Sequence, residues 1–342
     1  FNVERHYDGV TKWVIRANHS DGLPALMRRA FTRLRSGRPS PIMVGVPTDV
    51  ALGELSSDGY EYSMSRGVRS GGDPADVESA VRALLASEHP IIHAGQGIHY
   101  AKAWEELREL AELLGIPVVT TLAGKSAFPE DHALSAGTAA HTISGAARHF
   151  LDQCDLVFGI GCSFSRSIMS TEIPADKTLI HATLDSFDLN DEYAADQMIL
   201  GDAGLILRQV INEVKEQAGT IEPIFEGFEQ ELREVKASWL GEWMPKLTSD
   251  EVPINPYRVV WDFANTVDRT QTILTHDSGN PRDQIVPFYE SLIPRGYLGW
   301  GKSTQLGYSL GLAMGAKLAE PDKLVAHIWG DAAIGMAGMD LE

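Results

Sequence analysis

An apolar run, Leu324-Val-Ala-His-Ile-Trp329, ends abruptly in Gly330-Asp331-Ala332. A carboxylate that follows a glycine at the end of a buried strand is suited to a hard divalent cation. Mg²⁺ takes one or two carboxylates and completes its shell with phosphate oxygens and water. Asp331 is therefore the sharpest candidate metal ligand, although a lone Gly-Asp is more often only a turn. A second candidate is Thr275-His276-Asp277-Ser278-Gly279-Asn280, where polar and glycine residues close another apolar run. Open α/β sheets bind ligands at the carboxyl ends of their strands, so His276 or Asn280 is expected to face one. In a third stretch, Gly299-Trp-Gly301 and Leu306-Gly-Tyr-Ser-Leu-Gly311 bring small residues to the start of a helix. Such residues let a helix pack closely on a sheet or admit a ligand, and both roles can hold together.

Other candidates are weaker. Gly95-Gln96-Gly97 and Gly161 end strands ahead of helices, as in a dinucleotide-binding turn, but one of the usual three glycines is missing. They are phosphate cradles or simply tight turns. Asp185 could bind a ribose hydroxyl or cap a helix. The eleven histidines are scattered, with no His-Glu-x-x-His, and Cys154 and Cys162 have no partners at zinc spacing. No Gly-x-Ser-x-Gly elbow points to a serine hydrolase.

Composition narrows the class. The 342 residues are 44% hydrophobic and 22% charged, which suits two or three globular domains. A net charge of −18 argues against nucleic acid or an anionic membrane as partner. Arg28, Arg29, Arg33, Arg35 and Arg38 form a basic cluster at helical spacing, read as a solvated or interface face. Two cysteines fit a reducing compartment, and no apolar run approaches the ~18 residues of a membrane span. A cytoplasmic protein is expected. With no methionine or signal-like start at Phe1, the chain is expected to be an internal fragment of a longer enzyme.

The elements that must position these residues are read from periodicity. Residues 1–55 look like the end of a domain, with a helix over 23–34 and a strand over 41–46 whose sheet partners are expected upstream of Phe1. Residues 56–72 read as a linker. Residues 73–216 alternate strand and helix: helices over 76–87, 100–114, 144–151 and 205–216, strands over 89–94, 116–121, 155–161, 177–184 and 197–200. That alternation implies a doubly wound parallel sheet. A connecting segment, 217–253, carries Trp239 and Trp243 at i, i+4 and is expected to pack on a neighbour. The third pattern, 254–342, has helices over 257–267 and 303–318 and strands over 271–275 and 323–329. The fold class is α/β, in consecutive doubly wound parallel-sheet domains.

Taken in order, these segments resemble the thiamine diphosphate enzymes of the acetolactate synthase type over essentially the whole chain. Val10-Thr-Lys-Trp13, Ser36-Gly-Arg-Pro-Ser-Pro41 and Val46-Pro-Thr-Asp49 are similar to the end of that family's pyrimidine-binding domain. Residues 73–216, with Pro117-Val-Val-Thr-Thr-Leu-Ala-Gly-Lys125 and Gly201-Asp202-Ala203, resemble its central nucleotide-fold domain. From Ile254 onward the chain resembles the start of its pyrophosphate-binding domain.

The resemblance implies a thiamine diphosphate- and Mg²⁺-dependent carboligase or decarboxylase acting on a small 2-keto acid or aldehyde. Alternatives are a C–C lyase on an acyl-CoA or diketone, or a non-catalytic nucleotide-binding homologue. It implies Asp331 as the Mg²⁺ ligand, with Gly330 before it and the backbone of Ala332 and Ala333 against the diphosphate. Ser278, Gly279 and Asn280 would line the other side. Leu306 would prop the cofactor into a bent conformation, and main-chain groups of Thr304 and Leu306 would hold the aminopyrimidine. The activating glutamate is expected before Phe1 and the motif's closing asparagine beyond Glu342, with Ala332 replacing a glycine. The central domain carries FAD or ADP in some relatives, and the assembly is expected to be a homodimer or homotetramer.

Overall fold

The computed structural model describes residues 2–56, 63–219, 223–299 and 305–341. It divides into two compact units, Phe1–Ser70 and Gly71–Glu342.

In the first unit, helix α1 (Val3–Tyr7) precedes strand β1 (Trp13–Arg16), helix α2 (Leu23–Arg35), strand β2 (Ile42–Gly45) and helix α3 (Thr48–Leu52). β1 and β2 pair in parallel, Trp13 opposite Ile42. A sheet partner for the expected strand therefore lies within the chain. Trp13-Val-Ile-Arg16 is too short to stand out by pattern. The basic helix face has a local role, because the guanidinium groups of Arg29 and Arg33 lie 5.3 and 4.5 Å from the Trp13 ring centroid.

The second unit opens with helix α4 (Pro74–Ala86), started by the Asp73 side chain accepting from Ala75 N and by a proline in the first turn. Strand β3 (Pro90–Ala94), helices α5 (Gly97–Ala101) and α6 (Trp104–Leu114), strands β4 (Val118–Thr121) and β5 (Ser135–Ala139) and helix α7 (Gly145–Gln153) follow. Strands β6 (Leu156–Ile160), β7 (Thr178–Thr183) and β8 (Gln197–Leu200) and helix α8 (Ala203–Ala218) complete the layer. The six strands are all parallel in the order β5-β4-β3-β6-β7-β8. The strand order reverses between β3 and β6, the arrangement of a doubly wound nucleotide fold. β3 and β6 are buried along their whole length, as expected for strands covered on both faces.

Two readings change here. The helix expected over 100–114 is two helices, broken where Lys102 takes the left-handed conformation at φ 56°. β5 was not foreseen, because Ser-Ala-Gly-Thr-Ala has little of the β-branched and aromatic character of strands.

Helix α9 (Phe228–Leu247) then runs to a second core. Trp239 stacks on Phe288 at 5.0 Å and Trp243 meets Tyr257 edge-on at 5.0 Å, so the tryptophan pair does pack on a neighbour. Helix α10 (Pro256–Thr266), strand β9 (Thr272–His276), helix α11 (Asn280–Phe288), strand β10 (Tyr297–Leu298), helix α12 (Ser309–Ala319), strand β11 (Leu324–Ile328) and helix α13 (Asp331–Ala337) follow. The three strands form a parallel sheet, order β10-β9-β11. Among the described residues α12 begins at Ser309, later than expected. α11 was not foreseen because it carries Pro281 and Pro287, yet Pro281 sits in the first turn, where its missing N–H costs nothing.

Candidate functional site

The carboxyl edge of the three-stranded sheet gathers most of the expected residues. Ile328 stands opposite His276 in register, and Asp277 N donates to Ile328 O at 3.2 Å. The two strands therefore leave the sheet side by side, one into Ser278-Gly279-Asn280 and the other into Gly330-Asp331. Gly279 has φ 86°, ψ −154°, a region open only to glycine, and α11 starts immediately after it. α13 starts at Asp331. The first turns of both helices have N–H groups without intrahelical acceptors at this edge, a combination that favours an anion.

The glycines here are not crowded. A Cβ added to Gly279 would meet no atom of the described residues within 4 Å, and one on Gly330 would meet only Pro281 Cγ, at 4.0 Å. The half-buried Leu306 precedes Gly307, which has φ 80° and whose added Cβ would lie 3.3 Å from the Ala337 and Met336 Cβ atoms of α13. Ser309 ties that segment back to β9: its N donates to Asp277 Oδ1 at 3.4 Å and its Oγ to the His276 carbonyl. Ser278 and Ala333 are buried, whereas Asn280, Asp331 and Ala332 are exposed. Thr304 lies outside the described residues.

Asp331 stands as a single carboxylate whose Oδ1 accepts from Ala332 N at 2.8 Å. No group of three or more His, Cys, Asp or Glu suited to a metal occurs among the described residues. A hard cation here would need its other ligands from phosphate and water, which suits a metal that arrives with a diphosphate.

Beneath this edge lies a polar floor that sequence reasoning missed in part. Arg282, 3% exposed, donates to Ser278 Oγ at 3.1 Å and pairs with Asp283 at 2.8 Å. Thr275 Oγ1 and His327 Nδ1 are 2.8 Å apart, and Asp277 Oδ2 is 3.8 Å from His327 Nε2. Asp277 Oδ2, His276 Nε2 and His327 Nε2 are buried without hydrogen-bond partners among the described residues, which is uncommon for buried polar groups. Burial pushes His276 down to about 4, helped by the Arg282 charge and opposed by contacts with Asp277. His327 is also lowered by burial. The His276 ring stacks on Tyr297 at 5.0 Å, and a Cβ at Gly299 would fall 1.9 Å from its Nε2. A charged residue in a proline-flanked run (Asn280-Pro-Arg282-Asp) was the one signal that could have flagged Arg282.

The turn between β3 and α5 differs. A Cβ on Gly95 would sit 2.3 Å from Gly161 O and 2.5 Å from Cys162 Cα, and one on Gly97 would sit 2.6 Å from Gly161 Cα. Gly95 N donates to Ile160 O at 2.9 Å and Gly97 N to Gly161 O at 2.8 Å. These glycines serve the contact of two backbones. Asp185 accepts from Phe187 N at 3.2 Å and caps a short 3₁₀ turn. Cys154 and Cys162 are buried and not joined in a disulfide, and burial pushes the Cys154 thiol up to about 12.

Residues 77–210 match the family described as thiamine pyrophosphate enzyme, central domain, and residues 277–342 match the C-terminal TPP binding domain. A probable acetolactate synthase large subunit of Methanocaldococcus jannaschii is 30% identical, aligned over 97% of this chain and 57% of its own length. A glyoxylate carboligase of Escherichia coli is 28% identical over 96% of this chain and 56% of its own. A 2-hydroxyacyl-CoA lyase of Arabidopsis thaliana is 28% identical over 94% and 57%. The chain spans a little over half the length of these relatives.

Proposed function

Because the chain belongs to the thiamine pyrophosphate enzymes, we propose that the protein is a thiamine diphosphate- and Mg²⁺-dependent carboligase or decarboxylase of the acetolactate synthase type. Its substrate class is a small 2-keto acid or aldehyde. The observation that carries the reading is the open carboxyl edge of the C-terminal sheet, where α11 and α13 both begin beside Asp331 and uncrowded glycines.

In this reading Asp331 holds Mg²⁺. The backbone of Gly330, Ala332 and Ala333 lies against the diphosphate, and Ser278, Gly279 and Asn280 face it from β9. Arg282 fixes the Ser278 hydroxyl and adds positive charge beneath the anion. Leu306 supports the bend of the cofactor, and main-chain groups of Thr304 and Leu306 hold the pyrimidine. When bound, thiamine diphosphate supplies a nucleophilic carbon and an electron sink for the substrate's carboxylate-bearing carbon. Residues 1–55 act as the end of the pyrimidine-binding domain, 73–216 as the central domain and 254–342 as the start of the pyrophosphate-binding domain.

A flavin or ADP in the central domain gains little from the Gly95 turn, where the Gly95 and Gly97 N–H groups are already donated within the protein. A flavin absorption band in the purified protein would establish one. A homodimer or homotetramer follows from the family resemblance. A cytoplasmic location draws on two buried cysteines that form no disulfide. No helix among the described residues is long and apolar enough to cross a membrane. A lyase activity on an acyl-CoA is the second reading, supported by the similarity to the Arabidopsis relative.

The test supplies the full-length protein with thiamine diphosphate, Mg²⁺ and, in turn, pyruvate, glyoxylate and a 2-hydroxyacyl-CoA. CO₂ release with a condensation product supports the carboligase, and cleavage of the thioester substrate supports the lyase. No turnover of any of them overturns both.

A further inference from the structure

A buried ion pair joins the central sheet to the C-terminal half. Lys125 and Glu130 are 1% and 4% exposed, and Lys125 Nζ lies 2.6 Å from both carboxylate oxygens. Burying such a pair costs several kcal/mol of desolvation per ion, repaid only when further hydrogen bonds satisfy both groups. Thr138 Oγ1 in β5 donates to Glu130 Oε1 at 3.1 Å, and the other bonds cross to the other half of the unit. Lys125 Nζ donates to Val286 O at 3.2 Å, in the last turn of α11. Glu130 Oε2 accepts from Ser291 N at 2.7 Å, and Glu130 N donates to Ser291 O at 3.1 Å. Four residues on, Arg295 donates to His99 O at 3.0 Å, a second tie to the central domain.

Each half adopts costly backbone at this junction. Ser126 has φ 72° and Arg295 φ 60°, a region that non-glycine residues enter at a cost. The loop that carries Lys125 rests on the glycine turn, since a Cβ on Gly124 would lie 2.6 Å from Ala94 O and 3.0 Å from Gly95 C. A rigid path therefore runs from the closed Gly95 turn through Lys125 to the segment 286–295. One end of that segment is α11, which starts at Asn280. Its other end feeds β10 and Gly299.

We propose that Lys125 and Glu130 are positioning residues for the thiamine diphosphate site, holding α11 and β10 at the separation the cofactor needs. The inference rests on the cofactor reading given above. It assigns a role in that site to residues that do not line the carboxyl edge.

The test uses the full-length protein and the variant Lys125→Met/Glu130→Gln. This variant replaces the ion pair with an uncharged pair of similar size that keeps the acceptor for Ser291. The readouts are the Kd for thiamine diphosphate with Mg²⁺ by calorimetry, the unfolding midpoint, and amide exchange over residues 280–298 without ligand. The expected result is at least a tenfold weaker Kd with faster exchange over that segment and a near wild-type midpoint. Wild-type Kd and exchange would overturn the proposal. If the double variant does not fold, Lys125→Arg/Glu130→Asp keeps both charges while displacing the tie to residues 286–291. About threefold weaker binding is then expected, and an unchanged Kd overturns the role. Wild-type protein that binds no thiamine diphosphate would sink the cofactor reading instead, while exchange over 280–298 still reports on the tie.

Discussion

Two strand–helix edges in this chain use glycine for opposite ends. At the switch point of the central sheet, Gly95 and Gly97 press against Gly161 and Cys162, and their N–H groups are donated to neighbouring carbonyls. At the carboxyl edge of the C-terminal sheet, Gly279 and Gly330 have no such neighbour among the described residues. The polar floor below them keeps buried atoms without hydrogen-bond partners among the described residues. The same sequence signature, glycine after an apolar strand, thus marks a closed joint in one place and an open receptor in the other. The difference lies in what approaches the glycine, which sequence does not display. The closed joint in turn supports the loop that carries Lys125 toward the open one.

The largest effect expected from this contrast is on stability. Gly95→Ala forces a Cβ into the Gly161 backbone and should cost about 3 kcal/mol or more in urea unfolding. A cost below about 1 kcal/mol would show that the joint yields, and the contrast would fail there.

Next in size is a pH effect that compares the floors of the two regions. His93, buried in β3, is pushed down to about 4 by burial and then by His181, and His276 likewise to about 4 by burial. Both folded values lie below the ordinary 6.5, so the unfolded chain takes up protons first as the pH falls. Stability should be full above pH 6.5 and drop between 6.5 and 4, by on the order of 3 kcal/mol per histidine. His93→Gln and His276→Gln should each reduce that slope in unfolding measured across the range, the remainder belonging to His99, His181 and His327, which burial also lowers. A smaller change for His276 would mean that the C-terminal floor is wet, which sharpens the contrast.

Asp185→Ala removes a cap and should cost about 1 kcal/mol. Any accompanying loss of a bound nucleotide or flavin would reopen the central domain as a binding site. The smallest stability change belongs to Gly330→Ala, whose backbone at φ −89° any residue accepts. It should stay within about 0.5 kcal/mol of wild type while thiamine diphosphate binding falls at least about tenfold, or about 1.4 kcal/mol. Unchanged binding would place the diphosphate elsewhere.

Much of the frame was legible because buried parallel strands read as apolar runs. The strand over 197–200 was read with the bounds of β8, and the runs over 155–161 and 177–184 contain β6 and β7. β1, β5 and β10 were not legible, being short or poor in β-branched residues, so that only their neighbours make them strands. α11 was hidden by its prolines. At the candidate site, the glycine and polar residues at strand ends stood out. Arg282 and Ser309 did not, because their partners are set by packing. Lys125 meets Val286 across 161 positions, a contact no local pattern encodes.

The central claim, that the open edge takes the diphosphate of thiamine diphosphate through Asp331, is tested most directly by calorimetry on the full-length protein. Wild type and Asp331→Ala are titrated with thiamine diphosphate in the presence of Mg²⁺. The account predicts saturable binding by the wild type and a loss of about a hundredfold or more in the variant. The unfolding free energy should stay within about 1 kcal/mol, the scale of one helix-terminal charge. Equal affinity in the two proteins would contradict it.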